Sequence, residues 1–279
     1  MPRQVLQDII ELVIYELRDD RATLLKCCTV SHSFLTPSLK QLFFDIEIPN
    51  YRGASILASL NHVLSIHPGY LSYIRILRIS GFNMGLYKRR FLRLVEAIAD
   101  RGVLRVFRLR MTRSSGGVWE ALPVPIRAVF ARLFQSPNLH TISLSNMCGY
   151  TFPLHLLGLA TGLRHLDFVG DHDSSCHHPT VVSPMIHPLP SAASYDVYLE
   201  SLQMTLQTNA SALVGYLSRP DCPLKISQLR ELWIDRATGP HHLPATVATV
   251  VKGASRSLES FIWIMDTCYG MLIDLSARR

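Results

Sequence analysis

The hexapeptides LHTISL at residues 139–144 and LRHLDF at residues 163–168 share one pattern: apolar, two others, apolar, one other, apolar. Seven copies of this pattern follow residue 70, starting at Ile74, Leu104, Leu139, Leu163, Leu199, Leu229 and Leu258. The last two apolar positions of each copy alternate, which is typical of a strand with one buried face. Successive copies start 24 to 36 residues apart, which leaves room for a strand, a turn and a helix.

The segments between the copies have apolar residues at helical spacing. They are residues 91–99, 126–134, 210–217 and 246–251. Stacked strand–turn–helix units place their strands side by side in one parallel sheet. We therefore predict an α/β fold in which a parallel sheet carries outer helices, arranged as an irregular solenoid.

Alternation along each strand also identifies the residues of the exposed sheet face. The residue before the third apolar position forms a column across the copies: Arg78, Arg108, Ser143, Asp167, Gln203, Trp233 and Ile262. Arg78 and Arg108 would repel each other at strand spacing, with Arg110 beside them, so an acidic partner would stabilise them. A face that runs from basic through polar to aromatic suits protein recognition. Trp233 and Ile262 could equally pack under a terminal helix.

The first 45 residues have a different, purely helical pattern. A single stripe at helical spacing runs along Leu6, Ile9, Ile10, Val13, Ile14 and Leu17. We predict a second helix over residues 22–30 and a third that Pro37 opens. Three short helices bury little apolar surface alone, so this unit should contact another chain or the following domain.

Residues 5–48, VLQDIIELVIYELRDDRATLLKCCTVSHSFLTPSLKQLFFDIEI, resemble the F-box-like motif of large fungal protein families. The matching positions are Asp19-Asp20, Leu24-Leu25, Cys28, Val30-Ser31 and Leu42-Phe43. Val5-Leu6 replaces the Leu-Pro of the motif and Phe34 replaces its Trp, and both replacements keep apolar bulk. The repeated copies resemble the degenerate leucine-rich repeats that often follow such a motif.

The resemblance implies an interaction protein without catalytic activity or cofactor. In that family the three helices bind the Skp-type adaptor of an SCF-type cullin-RING ubiquitin ligase, and the rest of the chain recruits a protein client. It places the F-box-like unit at residues 1–48 and the repeat domain at residues 49–279. The expected adaptor-contact residues are Val5, Leu6, Ile9, Ile10, Leu24, Cys28, Val30 and Phe34. The expected client-binding residues are Arg78, Arg108, Arg110, Asp167, Gln203 and Trp233.

The positive charge of the chain is concentrated in one segment. The net charge is +7, but residues 75–132 hold thirteen Lys or Arg and three Asp or Glu, a net +10. Such a segment suits an acidic protein surface, a phosphorylated peptide or nucleic acid, or it is a solvated face. Stacking aromatics are sparse in this segment, which argues against binding to single-stranded nucleic acid.

The sequence contains none of the common catalytic motifs. It has no G-x-S-x-G, GxxxxGK[ST], GxGxxG after a strand or HExxH. We expect residues 170–195, which include four prolines and four histidines, to form a long loop, and their Asp, His and Cys side chains lack a recognised metal-ligand spacing.

These observations predict an intracellular protein, cytoplasmic or nuclear, that spans no membrane. The alternatives are a repeat scaffold without a ligase link and, with less support, a basic nucleic-acid-binding protein. A metal-dependent enzyme built on the 170–195 loop has the least support.

Overall fold

A computed structural model describes residues 2–49, 53–82, 88–111, 119, 122–146, 152–169, 196–205, 208–235, 243–264 and 272–274. Their helices are α1 (Pro2–Glu16), α2 (Arg21–Val30), α3 (His32–Phe44), α4 (Gly53–Ile66), α5 (Lys88–Arg101), α6 (Val124–Phe134), α7 (Thr208–Leu217) and α8 (Leu243–Gly253). Their strands are β1 (Asp45–Pro49), β2 (Ile76–Phe82), β3 (Val106–Met111), β4 (Thr141–Ser145), β5 (His165–Val169), β6 (Val197–Tyr198), β7 (Ser201–Thr205), β8 (Leu224–Lys225), β9 (Glu231–Asp235), β10 (Ser260–Ile264) and β11 (Leu272–Asp274). The 170–195 loop lies outside the described residues.

Within these residues one large sheet has the strand order β1-β2-β3-β4-β5-β7-β9-β10-β11. Its first eight strands are parallel, and β11 pairs antiparallel with β10. Every predicted copy of the apolar pattern contributes one of these parallel strands. The prediction of an α/β fold with a large parallel sheet is therefore confirmed.

A regular hydrogen-bond ladder connects the strands where they begin. The amides of Arg105 and Val106 both donate to the carbonyl of Arg75, at 2.8 and 3.0 Å. The amides of His140 and Thr141 donate in the same way to the carbonyl of Arg105, at 3.0 and 3.1 Å. The arrangement continues from strand to strand up to β10. Because each carbonyl binds two amides of the next strand, every strand starts in the same register.

The core lies between the sheet and the helices. The second apolar position of each of the first six copies is almost completely buried: Leu77, Phe107, Ile142, Leu166, Leu202 and Leu232. The ring of Phe107 lies 5.6 Å from that of Phe130 and 5.8 Å from that of Phe134, both on α6. Phe91 of α5 adds an edge contact to Phe130 at 6.0 Å. Aromatic packing therefore fixes the helical layer on the inner side of the sheet.

The predicted connecting helices are present as α5, α6, α7 and α8, each extending beyond the predicted bounds at one or both ends. The connection between β4 and β5 contains the 3₁₀ helix Leu154–Leu159. The apolar pattern does not predict α4 or the 3₁₀ helix Pro68–Tyr73, because both precede its first copy. Gly102 follows α5 with a φ of 60°, the left-handed conformation that commonly ends helices.

The first three helices form a small core of their own. Its buried residues are Ile10, Ile14, Leu24 and Leu42. Asp20 caps α2, accepting hydrogen bonds from the Thr23 amide at 3.0 Å and the Thr23 hydroxyl at 2.7 Å. These hydrogen bonds lower the pKa of Asp20. The predicted Asp19-Asp20 break between the first two helices is confirmed.

The prediction that Pro37 opens the third helix is wrong. Pro37 lies inside α3, which already begins at His32. Proline has no amide hydrogen, so the carbonyl of Ser33 lacks its partner four residues later. The side-chain amide of Gln7 on α1 donates to that carbonyl at 3.4 Å. A contact from a neighbouring helix therefore compensates for the proline.

The helical unit joins the sheet directly. β1 follows α3 without a linker and pairs with β2 over its whole length. The predicted boundary at residue 48 falls inside β1, so the sheet begins before it. The rings of Phe43 and Tyr70 lie 5.1 Å apart and connect α3 to the 3₁₀ helix beside β2. In the part of the chain that is described, no helix combines the length and the apolar character needed to span a bilayer.

Phe107→Ala tests the packing between the sheet and α6. Phe107 is fully buried and contacts two rings, so we expect the free energy of unfolding to fall by about 3–5 kcal/mol. Denaturant titration measures this change. Val106→Ala, on the half-buried outer side of the same strand, is the control and should cost less than about 1 kcal/mol. Equal losses would contradict the assignment of the inner face.

Candidate interaction surfaces

The predicted adaptor-contact residues fall into two groups in the structure. Leu6 on α1 is 60% exposed, Ile9 is 52% exposed and Val30 on α2 is 65% exposed. Ile10 and Leu24 are buried in the small helical core, and Cys28 and Phe34 pack against it. Val5 lies in α1, but its side chain is outside the described residues. Among the predicted contacts whose side chains the structure describes, Leu6, Ile9 and Val30 are thus the ones exposed for contact with another protein.

Cys28 is partly buried against the small helical core. Burial raises the pKa of its thiol, with a smaller contribution from the neighbouring Cys27. A thiol with a raised pKa is a poor nucleophile and behaves as a small apolar side chain. Cys28 therefore stabilises the helical unit.

Further apolar side chains are exposed on the same two helices and were not among the predicted contacts. They are Leu12, Val13, Tyr15 and Leu25. We call the exposed set the apolar helix surface: Leu6, Ile9, Leu12, Val13, Tyr15, Leu25 and Val30. The exposed apolar residues of α1 lie on one side of that helix, and exposed apolar patches on monomers mark interaction sites. The sequence does contain a signal for this exposed surface. Leu12 and Tyr15 lie outside the predicted stripe, which makes the apolar arc of α1 too wide for one buried face.

Acidic side chains lie beside the apolar helix surface. Asp8, Glu11 and Glu16 of α1 are all exposed. Arg18 lies over the ring of Tyr15, with its guanidinium carbon 4.5 Å from the ring centroid. The exposed side of α1 therefore carries acidic side chains interspersed among its apolar ones.

The second candidate surface is the outer face of the sheet. Strand register places the predicted column in one row, with Arg78 opposite Arg108, Arg108 opposite Ser143 and Ser143 opposite Asp167. The row continues to Gln203, Trp233 and Ile262. The predicted column is confirmed.

The chain itself supplies acidic partners at the basic end of this row. Arg78 donates to the Asp45 carboxylate at 2.5 Å, and the Ser80 hydroxyl donates to Glu47 at 2.9 Å. Both carboxylates lie on β1, which the sequence analysis assigned to the helical unit. An external anion is therefore unnecessary to stabilise Arg78, and the expectation of repulsion within the arginine column is corrected at this position.

Electrostatics link Asp45 to two arginines. Burial raises the pKa of the Asp45 carboxyl, and the charges of Arg78 and Arg108 oppose that rise. Arg108 and Arg110 are exposed, and within the described residues their side chains form no hydrogen bond and no ion pair. Arg108 and Arg110 are thus the available cations of the outer face.

Asp167 is the half-buried acid of the row. It accepts a hydrogen bond from the Ser143 hydroxyl at 2.7 Å. Burial raises the pKa of the Asp167 carboxyl, while Ser143 and the charge of Arg108 oppose this. Gln203 is half-buried, whereas Trp233 is 41% exposed. Trp233 is therefore the accessible aromatic of the row, and a terminal helix does not bury it.

The basic segment is spread over different sides of the protein. Arg78, Arg108 and Arg110 lie on the outer face, whereas Arg93 lies on α5 in the opposite layer. Arg132 of α6 is paired with Asp100 of α5. The described arginines of this segment therefore do not form one continuous basic surface.

The described residues contain no group of three or more His, Cys, Asp or Glu side chains that could hold a metal ion. The metal-capable side chains of the 170–195 loop lie outside those residues. Comparison with family models, with curated proteins and with solved structures gave no match.

Asp167→Asn tests the electrostatics of the outer face. An acid with a raised pKa binds protons more readily in the folded than in the unfolded chain, so it lowers stability as pH rises through its folded pKa. Asparagine keeps an acceptor for Ser143 but does not titrate. We expect the variant to be more stable than the parent at pH 7 and to lose part of the decline in stability above pH 4.

Urea unfolding of both proteins at several pH values measures this difference. An identical pH dependence in parent and variant, or a variant that is less stable at pH 7 and equal at pH 4, would contradict the assigned environment of Asp167.

Proposed function

We propose that this chain is an F-box-like adaptor, the substrate-recognition subunit of an SCF-type cullin-RING ubiquitin ligase. In this proposal α1 and α2 bind the Skp-type adaptor, and the outer face of the sheet recruits a protein client. The observation that carries the proposal is the apolar helix surface on a unit with the F-box-like sequence pattern. The chain would act inside the cell, in the cytoplasm or nucleus.

The packing of α1 supports a partner at this surface. Ile10 and Ile14 already bury the inner side of the helix against α3. Leu6, Ile9 and Val13 lie on adjacent turns of the outer side and remain exposed. Apolar area of this kind costs free energy in water, and a bound protein would remove it from solvent.

The position of the helical unit supports two separate binding surfaces. The unit joins the sheet through α3 and β1, and α1 and α2 make their main contacts with α3. Simultaneous binding of an adaptor and a client raises the effective concentration of the client at the ligase. The chain needs no catalytic residues for this mechanism, because the ligase supplies the covalent chemistry.

The repeat architecture supports the leucine-rich-repeat assignment for the second part of the chain. The six-residue pattern recurs on parallel strands in constant register, with helices or 3₁₀ turns between them. Repeats of this kind form extended surfaces that bind proteins. Arg108, Arg110, Gln203 and Trp233 are the proposed client contacts.

The double variant Leu6→Asp/Ile9→Asp tests adaptor binding. Both side chains are exposed, so we expect an unchanged circular dichroism spectrum and unfolding midpoint. Affinity for a recombinant Skp-type adaptor, measured by calorimetry, should fall at least roughly 30-fold, because two apolar contacts become charges in an interface. Leu24→Asp is unsuitable, since Leu24 is buried in the small helical core and its substitution tests folding.

Val124→Asp is the matched control, because Val124 is 67% exposed and lies on α6, in the helical layer that packs on the sheet. It should leave adaptor affinity unchanged. No binding by the parent, or equal binding by parent and double variant, would refute the ligase link and favour a repeat scaffold.

A further inference from the structure

The outer sheet face carries opposite charges at two separated places. Arg108 and Arg110 lie on β3, and Glu231 lies on β9 beside Trp233. β4, β5 and β7 lie between them, so the two places are four strand intervals apart. That separation is roughly 19 Å at the usual spacing between strands of about 4.8 Å.

The basic end can accept an acidic side chain. Arg78 is engaged by Asp45, whereas Arg108 and Arg110 are exposed and lack a hydrogen-bonded or ion-paired partner within the described residues. Arg108 and Arg110 lie on the same side of β3, two residues apart, so one external carboxylate can approach both guanidinium groups.

The opposite end fits a long cationic side chain. Glu231 is exposed, and no partner for its side chain is found in the described part of the chain. It shares its side of β9 with Trp233, which is 41% exposed. Ile262 lies next to Trp233 on β10. A lysine or arginine could pack its aliphatic stem on Ile262, place its charge over the Trp233 ring and pair with Glu231.

The strands between the two ends carry short polar side chains. Ser143 is buried between its longer neighbours Arg108 and Asp167, and Ser145 follows it on β4. Gln203 on β7 continues the row towards Trp233. An extended chain that crosses from β3 to β9 would therefore meet the Ser143 hydroxyl, the half-buried Asp167 carboxylate and the Gln203 amide on the way.

We propose that the outer sheet face binds an extended peptide segment with an acidic residue at one end and a lysine or arginine at the other. The two residues would lie roughly six positions apart, because an extended chain advances about 3.3 Å per residue over the 19 Å. The acidic residue binds Arg108 and Arg110, and the basic residue binds Trp233 and Glu231. This inference rests on the proposed role of the face in client recruitment and specifies the client's chemistry.

Selection from a random peptide display library on the immobilised full chain tests this inference. Peptides of roughly twelve residues are long enough to cover the span twice. Enriched sequences should pair Asp or Glu with Lys or Arg at a separation of about six positions. Arg108→Glu/Arg110→Glu should replace the acidic preference by a basic one and leave the other end unchanged.

Glu231→Lys should reverse the preference at the opposite end, and Trp233→Ser should weaken binding of the selected peptides roughly tenfold. Arg93→Glu, an exposed arginine on α5, is the control and should change neither preference. Absence of enrichment, enrichment without the charge pair, or a selection unaffected by Arg108 and Arg110 would overturn the inference. Adaptor binding through Leu6 and Ile9 is measured separately, so failure of this selection is distinguishable from failure of the ligase link.

Discussion

The structure depends on the hydrogen-bond ladder at the beginning of the parallel strands. The carbonyl of Arg75 binds two amides of β3, and the carbonyl of Arg105 binds two amides of β4. This repeated arrangement gives every strand the same register where it begins, and the one shift between β2 and β3 falls after Ser80, beyond the repeated pattern. Because the register is constant, the same positions of every copy enter the core, and the same positions of every copy form the outer face.

The constant register determines which charges meet on the outer face. Arg78, Arg108 and Asp167 lie in one row because each is the fifth residue of its copy. β1 adds Asp45 and Glu47 to that face, although it has no copy of the pattern. The face is consequently a mixture of internal ion pairs and unpartnered charges, and only the unpartnered ones are available to a client.

The strands and the outer-face column could be predicted from the sequence because alternation of apolar residues reports burial directly. Leu77 and Ile79 show this, since both are buried as their positions in the pattern require. Partner choice among charges is not encoded in spacing: the pairing of Arg78 with Asp45 joins residues 33 positions apart and needs the three-dimensional register. The structure of α3 was missed at Pro37 because Gln7, on another helix, satisfies the freed carbonyl.

The helical unit also shows that spacing in the sequence does not determine which apolar side chains become buried. The stripe of α1 was predicted, but its division into buried Ile10 and exposed Ile9 depends on how α1 packs on α3. When the apolar arc of a helix is wider than the neighbouring helix can cover, the remaining apolar side chains stay exposed. In the proposed function, these exposed side chains form the binding surface.

Hydrogen–deuterium exchange of the full chain, with and without a recombinant Skp-type adaptor, tests the central claim most directly. We expect slower amide exchange in α1 and α2 on adding the adaptor, with exchange in β3 to β9 unchanged. Unchanged exchange in both helices, or protection confined to the sheet strands, would contradict it.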